Sequence, residues 1–288
     1  MKNLKNSLYL LLLISAPLFA FQEMENVEIE IIPVNGNVSM LTGRGGNIGV
    51  LTGADGVFMI DDQFAALSPK IKTALQSLSD QPVKFLVNSH FHGDHTGGNT
   101  NFQQEGALII AHENVRKRLK KEEDNAGLPI ITFNDEVQLH INGNDIMVIH
   151  VDNAHTDGDA LIYFPQSNVL HTGDTFFNGR FPYIDLKSGG SVNGVIEAVK
   201  LGLSIINTDT KIIPGHGVLA SYSDYQEYLN MLEGIRNNVQ KAIGENRSKE
   251  KVVQDENLTK EFYSDEEMKD SFINGEKIRE TFYISLTQ

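Results

Sequence analysis

The chain has 288 residues, 40% of them hydrophobic, and no cysteine. That is enough apolar material for one large core or two small ones, and it leaves disulfides out of any account of stability. A formal charge of −14 argues against nucleic acid and anionic membrane surfaces as partners, since both are held by clustered cations.

Residues 1–20 read as a Sec-type signal peptide. Lys2 and Lys5 lead, Leu8 to Ile14 is apolar but short for a membrane span, and Ala16, Pro17 and Ala20 close it. Leu18 fits the minus-three position poorly, yet cleavage after Ala20 is the expectation, with an uncleaved anchor helix as the competing reading. The mature protein is then periplasmic or secreted. Losing two lysines and no acid would take its charge from −14 to −16. No other stretch is long and apolar enough to span a bilayer, so no membrane span is expected in the mature protein. With no repeat or low-complexity run, residues 21–288 read as one domain.

From Val27 to Asp61 the pattern is strand-like. "VEIEIIPV", "NVSMLT", "NIGVLTG" and "GVFMID" are separated by turn signals at Asn35-Gly36, Gly43 to Gly46 and Asp55-Gly56, as in an antiparallel meander. Ser68 to Leu78 carries apolar residues at Ile71, Ala74, Leu75 and Leu78, the spacing of an amphipathic helix, with Ser68 as N-cap and Pro69 in the first turn. "VKFLVNS" is a short buried strand, "ALIIA" another, and Glu113 to Lys121 a charged helix. "EVQLHI" and "DIMVIHV" form a hairpin across Asn142-Gly143-Asn144. "ALIYF" and "NVLHTG" pair across a turn containing Pro165. Val192 to Ile206 is helical, "TKIIPG" a strand, and Ser223 to Ile243 a helix. Near the C-terminus, Phe272, Ile273, Ile278, Phe282 and Tyr283 recur at roughly helical spacing, so a helix from about residue 265 should dock on the body. Two β-rich blocks with flanking helices suggest an α/β fold with two sheets face to face and helices outside.

The chemistry concentrates in "NSHFHGDHTGGN", at the end of the "VKFLV" strand. His90 and His92 are two apart, so in extended backbone they point the same way and could share a metal. Asp94 and His95 follow a turn at Gly93 and point elsewhere, toward a second metal. Zinc takes His nitrogen and Asp oxygen, usually with about four ligands. His155 in "NAHTDGD", Asp174 in "HTGD" and His216 in "PGHG" each follow a predicted strand, where loops at one sheet edge can converge.

The string H-x-H-x-D-H, followed by isolated His, Asp and His, resembles the metallo-β-lactamase-fold superfamily of hydrolases, from the N-terminal meander to the "PGHG" turn. The resemblance implies a four-layer αββα sandwich with two Zn2+ ions per chain at one edge. His90, His92 and His155 would hold the first, Asp94, His95 and His216 the second, and Asp174 would bridge both. It also implies a zinc-generated hydroxide that attacks a carbonyl, with Asp94 orienting it. The best-known β-lactam-hydrolysing branch has a cysteine where this chain has Asp174, and no histidine at the position of His95. The pattern is closer to glyoxalase II-like, lactonase-like and thioesterase-like members. A small ester, lactone or thioester is therefore the expected substrate, and a β-lactam the alternative. Iron with a flavin partner, or a metal-dependent binding protein without turnover, are rival classes. Oligomeric state is not legible.

Around these residues sit weaker candidates. Asp61 or Asp62 could hold a ligating histidine in place, and His171 could hydrogen-bond a ligand from outside the metal shell. His112 reads as a helix start, while His140 and His150 read as ordinary strand residues. In "TFFNGRFPYIDLKSGGS", Phe176, Phe177 and Tyr183 could line an apolar pocket, with Arg180 or Lys187 meeting a substrate carboxylate; a loop packed on its own aromatics is the alternative. "TGRGGN" reads either as a mobile flap that brings Arg44 to substrate or as a tight hairpin turn.

Overall fold

Alternation of apolar residues along the strands builds the layers. A computed structural model describes residues 24–120 and 125–288; residues 1–20, expected to be a signal peptide, and the Lys121 end of the expected charged helix lie outside the described residues. In β10 (Ala160–Phe164), Ala160, Ile162 and Phe164 face one apolar cluster, whereas Leu161 and Tyr163 face another. In β4 (Val57–Ile60), Phe58 and Ile60 join that first cluster while Val57 and Met59 face a third. Successive side chains of a strand point to opposite faces, so a strand apolar at every position must be covered on both sides.

The consequence is a four-layer αββα sandwich. Among the described residues one sheet has seven strands in sequential order: β1 (Glu30–Asn35), β2 (Val38–Thr42), β3 (Ile48–Leu51), β4, β5 (Val83–Val87), β6 (Leu108–His112) and β7 (Ile131–Phe133). The β1–β4 meander is antiparallel and β4–β7 are parallel. The other sheet has five, in the order β12 (Lys211–Ile213), β11 (Val169–His171), β10, β9 (Asn144–His150) and β8 (Glu136–Ile141). The β8–β9 turn holds Asn142 and Gly143 at φ 52° and 74°, the left-handed pair a two-residue hairpin turn requires.

Helices α1 (Ser68–Leu78), α2 (Gly93–Thr96), α3 (Asn99–Gln104) and α4 (Glu113–Leu119) accompany the first sheet. Ile71 and Leu75 of α1 and Phe102 of α3 cover its outer face. Beside the second lie α5 (Val192–Ile205), α6 (Tyr222–Gly244), α7 (Lys249–Val253) and α8 (Gly275–Thr287). Val199, Leu232, Ile278 and Phe282 bury its outer face, and truncating any one to Ala would cost about 2–5 kcal/mol. Ser221 and Asp224 form a capping box that starts α6.

Three expectations shift. The N-cap of α1 is Leu67, because a 3-10 turn at Ala65–Leu67 runs straight into the helix; Ser68 Oγ instead accepts from Asn101 Nδ2 at 2.9 Å. The last helix starts at Gly275, after an Asn274 side-chain cap, and residues 264–273 are turns. Within them Phe272 is 74% exposed; helical spacing misplaced it because no helix runs through it. No described helix is long and apolar enough to cross a membrane.

Candidate metal centre

Four strand ends deliver the site. His90 and His92 follow β5, and α2 carries Asp94 and His95. His155 follows β9, Asp174 follows β11 and His216 follows β12. Strands β9, β11 and β12 run the same way in their sheet, so their ends share one edge. Among the described residues two groups of metal-capable atoms result: His90, His92, His155 and Asp174, and Asp94, His95 and His216, with atoms in each group within 4.8 Å of one another. Asp174 serves both. Its Oδ2 lies 3.8 Å from His90 Nε2 and 3.6 Å from His155 Nε2; its Oδ1 lies 3.1 Å from His95 Nε2 and 3.5 Å from His216 Nε2.

Second partners fix the tautomers. Ser89 Oγ donates to Asp61 Oδ2 at 2.6 Å, so it accepts from His90 Nδ1 at 3.1 Å. His95 Nδ1 donates to Asp61 Oδ2 at 2.8 Å, His155 Nδ1 to the Tyr183 carbonyl at 2.8 Å, and His92 Nε2 to Asp185 Oδ2 at 3.2 Å. In each ring the other nitrogen is left with a bare lone pair. His155 Nε2 and His92 Nδ1 then face each other at 2.9 Å, which repels unless a cation or proton lies between. His90 Nε2, His95 Nε2 and Asp174 Oδ1 are buried without a well-formed hydrogen bond, a cost of about 1–3 kcal/mol each if nothing satisfied them. The donor set therefore fits divalent metal.

Electrostatics say the same. Burial, then the charge of His95, holds His90 well below the usual imidazole range. Burial would also lower His95 and His216, but the Asp174 carboxylate outweighs it; His95 is raised well and His216 to about 9. Burial works against the Asp174 charge, but His95 and His216 hold its carboxyl well below its ordinary value. Without a cation, protons on these two rings stand in for one.

Asp61 is the positioning carboxylate of the expected pair. It sits at φ 61°, a strained conformation for a non-glycine residue, and besides His95 it accepts from Ser89 N at 2.7 Å. Asp62 is buried, which raises its carboxyl well, and accepts from Gly98 N. His171 does not hydrogen-bond a ligand side chain as expected. Its Nε2 donates to the Asn47 carbonyl at 3.1 Å and its Nδ1 accepts from Gly173 N. Asn47 Nδ2 in turn donates to the carbonyls of Pro214 and Gly217, on either side of His216. Asn47, Ser89 and Asp185 carry no motif of their own; only their contacts reveal them.

"TGRGGN" is the loop of the antiparallel β2–β3 hairpin. It packs on the centre, with Gly46 N donating to Asp94 O at 3.0 Å and Gln63 Nε2 to Gly46 O at 2.7 Å. A Cβ at Gly46 would stand 2.0 Å from His95 Cε1. Arg44, Phe177, Arg180 and Tyr183 line the cavity above the centre. Phe176 does not: it is buried against Tyr225 and Tyr228 at 4.9 and 4.8 Å, because extended backbone turns adjacent side chains to opposite faces. Lys187 is exposed in a 3-10 turn outside that lining. His112 caps α4, accepting from Asn114 N, and stacks on His150 at 3.7 Å.

Comparison with known proteins agrees with this geometry. The family model of the metallo-beta-lactamase superfamily matches residues 41–235. The 2,4-dinitroanisole O-demethylase subunit alpha of Nocardioides sp. is 28% identical over 58% of this chain and 51% of its own length. The hydroxyacylglutathione hydrolase of Nitrosococcus oceani is 29% identical over 46% of this chain and 47% of its own. The chain thus spans about half the length of these curated relatives. Among solved structures, DIM-1 metallo-beta-lactamase superposes with TM-score 0.63 at 18% identity, over 72% of this chain and 99% of that one. The metallo-beta-lactamase from Pontibacter korlensis gives TM-score 0.61 at 19% identity, again over 72% and 99%. At such identities these two show the shared fold alone.

Proposed function

Because the chain belongs to the metallo-beta-lactamase superfamily of hydrolases, we propose that it hydrolyses a small ester, lactone or thioester at a centre holding two Zn2+ ions. His90, His92 and His155 hold one ion, Asp94, His95 and His216 the other, and Asp174 is shared. The observation that carries this reading is the set of four histidines, each with one ring nitrogen tied to a protein acceptor and the other turned bare into the same small space.

A bound metal pair supplies Lewis acidity and a water acidic enough to act as hydroxide near neutral pH. The chain's own residues supply the rest. Asp94, a cavity-wall residue with Oδ2 3.3 Å from His216 Nε2, orients the nucleophile toward the carbonyl carbon. Phe177, stacked on His216 at 5.3 Å, shields that end from water, and Tyr183 does so at the His155 end. Three relatives named hydroxyacylglutathione hydrolase and one named probable hydroxyacylglutathione hydrolase favour the thioester. The leader of residues 1–20 would place the reaction outside the cytoplasm.

The test is metal content of the purified protein, then turnover of nitrocefin, a lactone and a thioester before and after a chelator. Two zinc ions and chelator-sensitive cleavage of the lactone or thioester are expected. Cleavage of nitrocefin alone would make it a β-lactamase; bound metal with no turnover on a broad panel would make it a binding protein; iron with oxygen consumption would make it a redox protein.

A further inference from the structure

The cavity over the centre, of about 1050 Å³, has two unlike ends. Toward His92 and His155 it is aromatic. The Tyr183 ring lies 5.9 and 5.6 Å from those two rings, and Phe272 meets Tyr183 edge-on at 5.6 Å. Toward His216 it carries guanidinium groups: Arg180 and Arg44 line the cavity and also an adjoining groove that contains Glu30, His216 and Val218. A substrate carbonyl held over the centre would lie between these ends.

The aromatic roof is built rather than incidental. Phe272 belongs to residues 264–273, beyond residue 235 where the family match ends. Buried Arg279 grips the start of this segment through a two-pronged pair with Asp265 at 2.8 Å. Lys277 Nζ donates to the Phe272 carbonyl at 2.7 Å and lies 5.4 Å from its ring. The Phe272 ring is 74% exposed and lines the cavity, so it offers apolar surface to whatever fills that space. Asp270 also lines the roof and repels an anion from that end. Glu267 is turned back, its Oε2 accepting from Ser264 N and Oγ.

We infer that this roof selects an ester or thioester with an arylalkyl acyl group under Tyr183 and Phe272 and an anionic leaving group beside Arg44 and Arg180. The inference rests on the hydrolase reading above. In the reaction, water adds to the acyl carbon and the carbon–oxygen or carbon–sulfur bond breaks. The departing oxygen or sulfur takes one of the water's protons and the other is released to solvent, giving an arylalkyl carboxylate and an anionic alcohol or thiol.

The test uses the zinc-loaded full chain with 4-acetoxybenzoate, 4-(phenylacetoxy)benzoate and the methyl ester of the latter. Phe272→Ala should lower the phenylacetyl-to-acetyl ratio of kcat/KM about tenfold, the worth of one aromatic contact. Arg180→Ala should lower the ratio of free carboxylate to methyl ester by a similar factor. Ratios unchanged in both variants would overturn the inference; the exposure of Phe272 keeps its removal from disturbing the fold. If the wild type cleaves none of the three, the hydrolase reading is judged on the lactone and thioester assays above. Selectivity is then decided by calorimetric binding of 4-(phenylacetamido)benzoate against 4-acetamidobenzoate. A preference lost in Phe272→Ala supports the roof, and no preference in the wild type rejects it.

Discussion

A histidine binds metal only with the correct nitrogen bare, and here neighbours decide which nitrogen that is. Asp61→Asn would set an amide N–H against His95 Nδ1–H, so zinc affinity measured by competition with a chromophoric chelator should fall about 10–100-fold while the fold persists. Asp94→Ala should lower kcat/KM by about 10²-fold or more with little change in the unfolding midpoint, since its side chain is 29% exposed and hydrogen-bonds no core element. Unchanged rates in that variant would remove Asp94 from the chemistry. Of the seven proposed ligands, His90, His92, Asp94 and His95 stood out by close spacing, whereas His155, Asp174 and His216 entered through their strand-end context and the family resemblance. The supporting residues were not legible: Asp185 reaches His92 from 93 positions away, Ser89 is tied to Asp61 across 28 and Asn47 to the Pro214 carbonyl across 167, and such distant pairings leave no periodic trace in the chain.

The loops and helix ends around the centre are where single atoms matter most. Gly46 leaves room for the His95 ring, so Gly46→Ala must push either the β2–β3 loop or the ring. We expect both lower zinc occupancy and a stability loss of about 1–3 kcal/mol by urea unfolding. At α4, the His112 ring caps the helix while neutral, and burial beside His150 lowers its pKa to about 4. An unfolded histidine titrates near 6.5. The contribution is therefore full above pH 6.5 and is lost as pH falls from 6.5 through about 4. His112→Asn, which caps without titrating, should flatten that part of the stability profile; an identical profile would assign the acid sensitivity elsewhere. Element type was readable where periodicity was strong, as in α1 and the β8–β9 hairpin. It failed over residues 264–273, where turns place apolar side chains at helix-like intervals without a helix.

Across the whole chain, the proposed cation binding would join four strand ends from two sheets and displace protons from His95 and His216. Zinc titration near pH 7.5 should therefore release protons, detected as a dependence of calorimetric heat on buffer ionisation enthalpy; heats independent of buffer would contradict the assigned protonation. Stripping the metal should lower the unfolding temperature. The loss should grow as pH rises from 6.5 through about 9, because the His216 proton that stabilises the stripped centre is given up over that range. Read alone, the amino-acid order carried the alternation that suggests two sheets, the close-spaced His90–His95 cluster and the resemblance through which His155, Asp174 and His216 were added, since alternation and close spacing are properties of neighbours along the chain. Only the folded arrangement decided that Asp174 faces both groups, that Phe176 belongs to the core while Phe177 faces the cavity, and that a C-terminal turn roofs the site. Those are relations between residues far apart in sequence, set by how sheets and helices pack against one another, and local pattern carries no record of them.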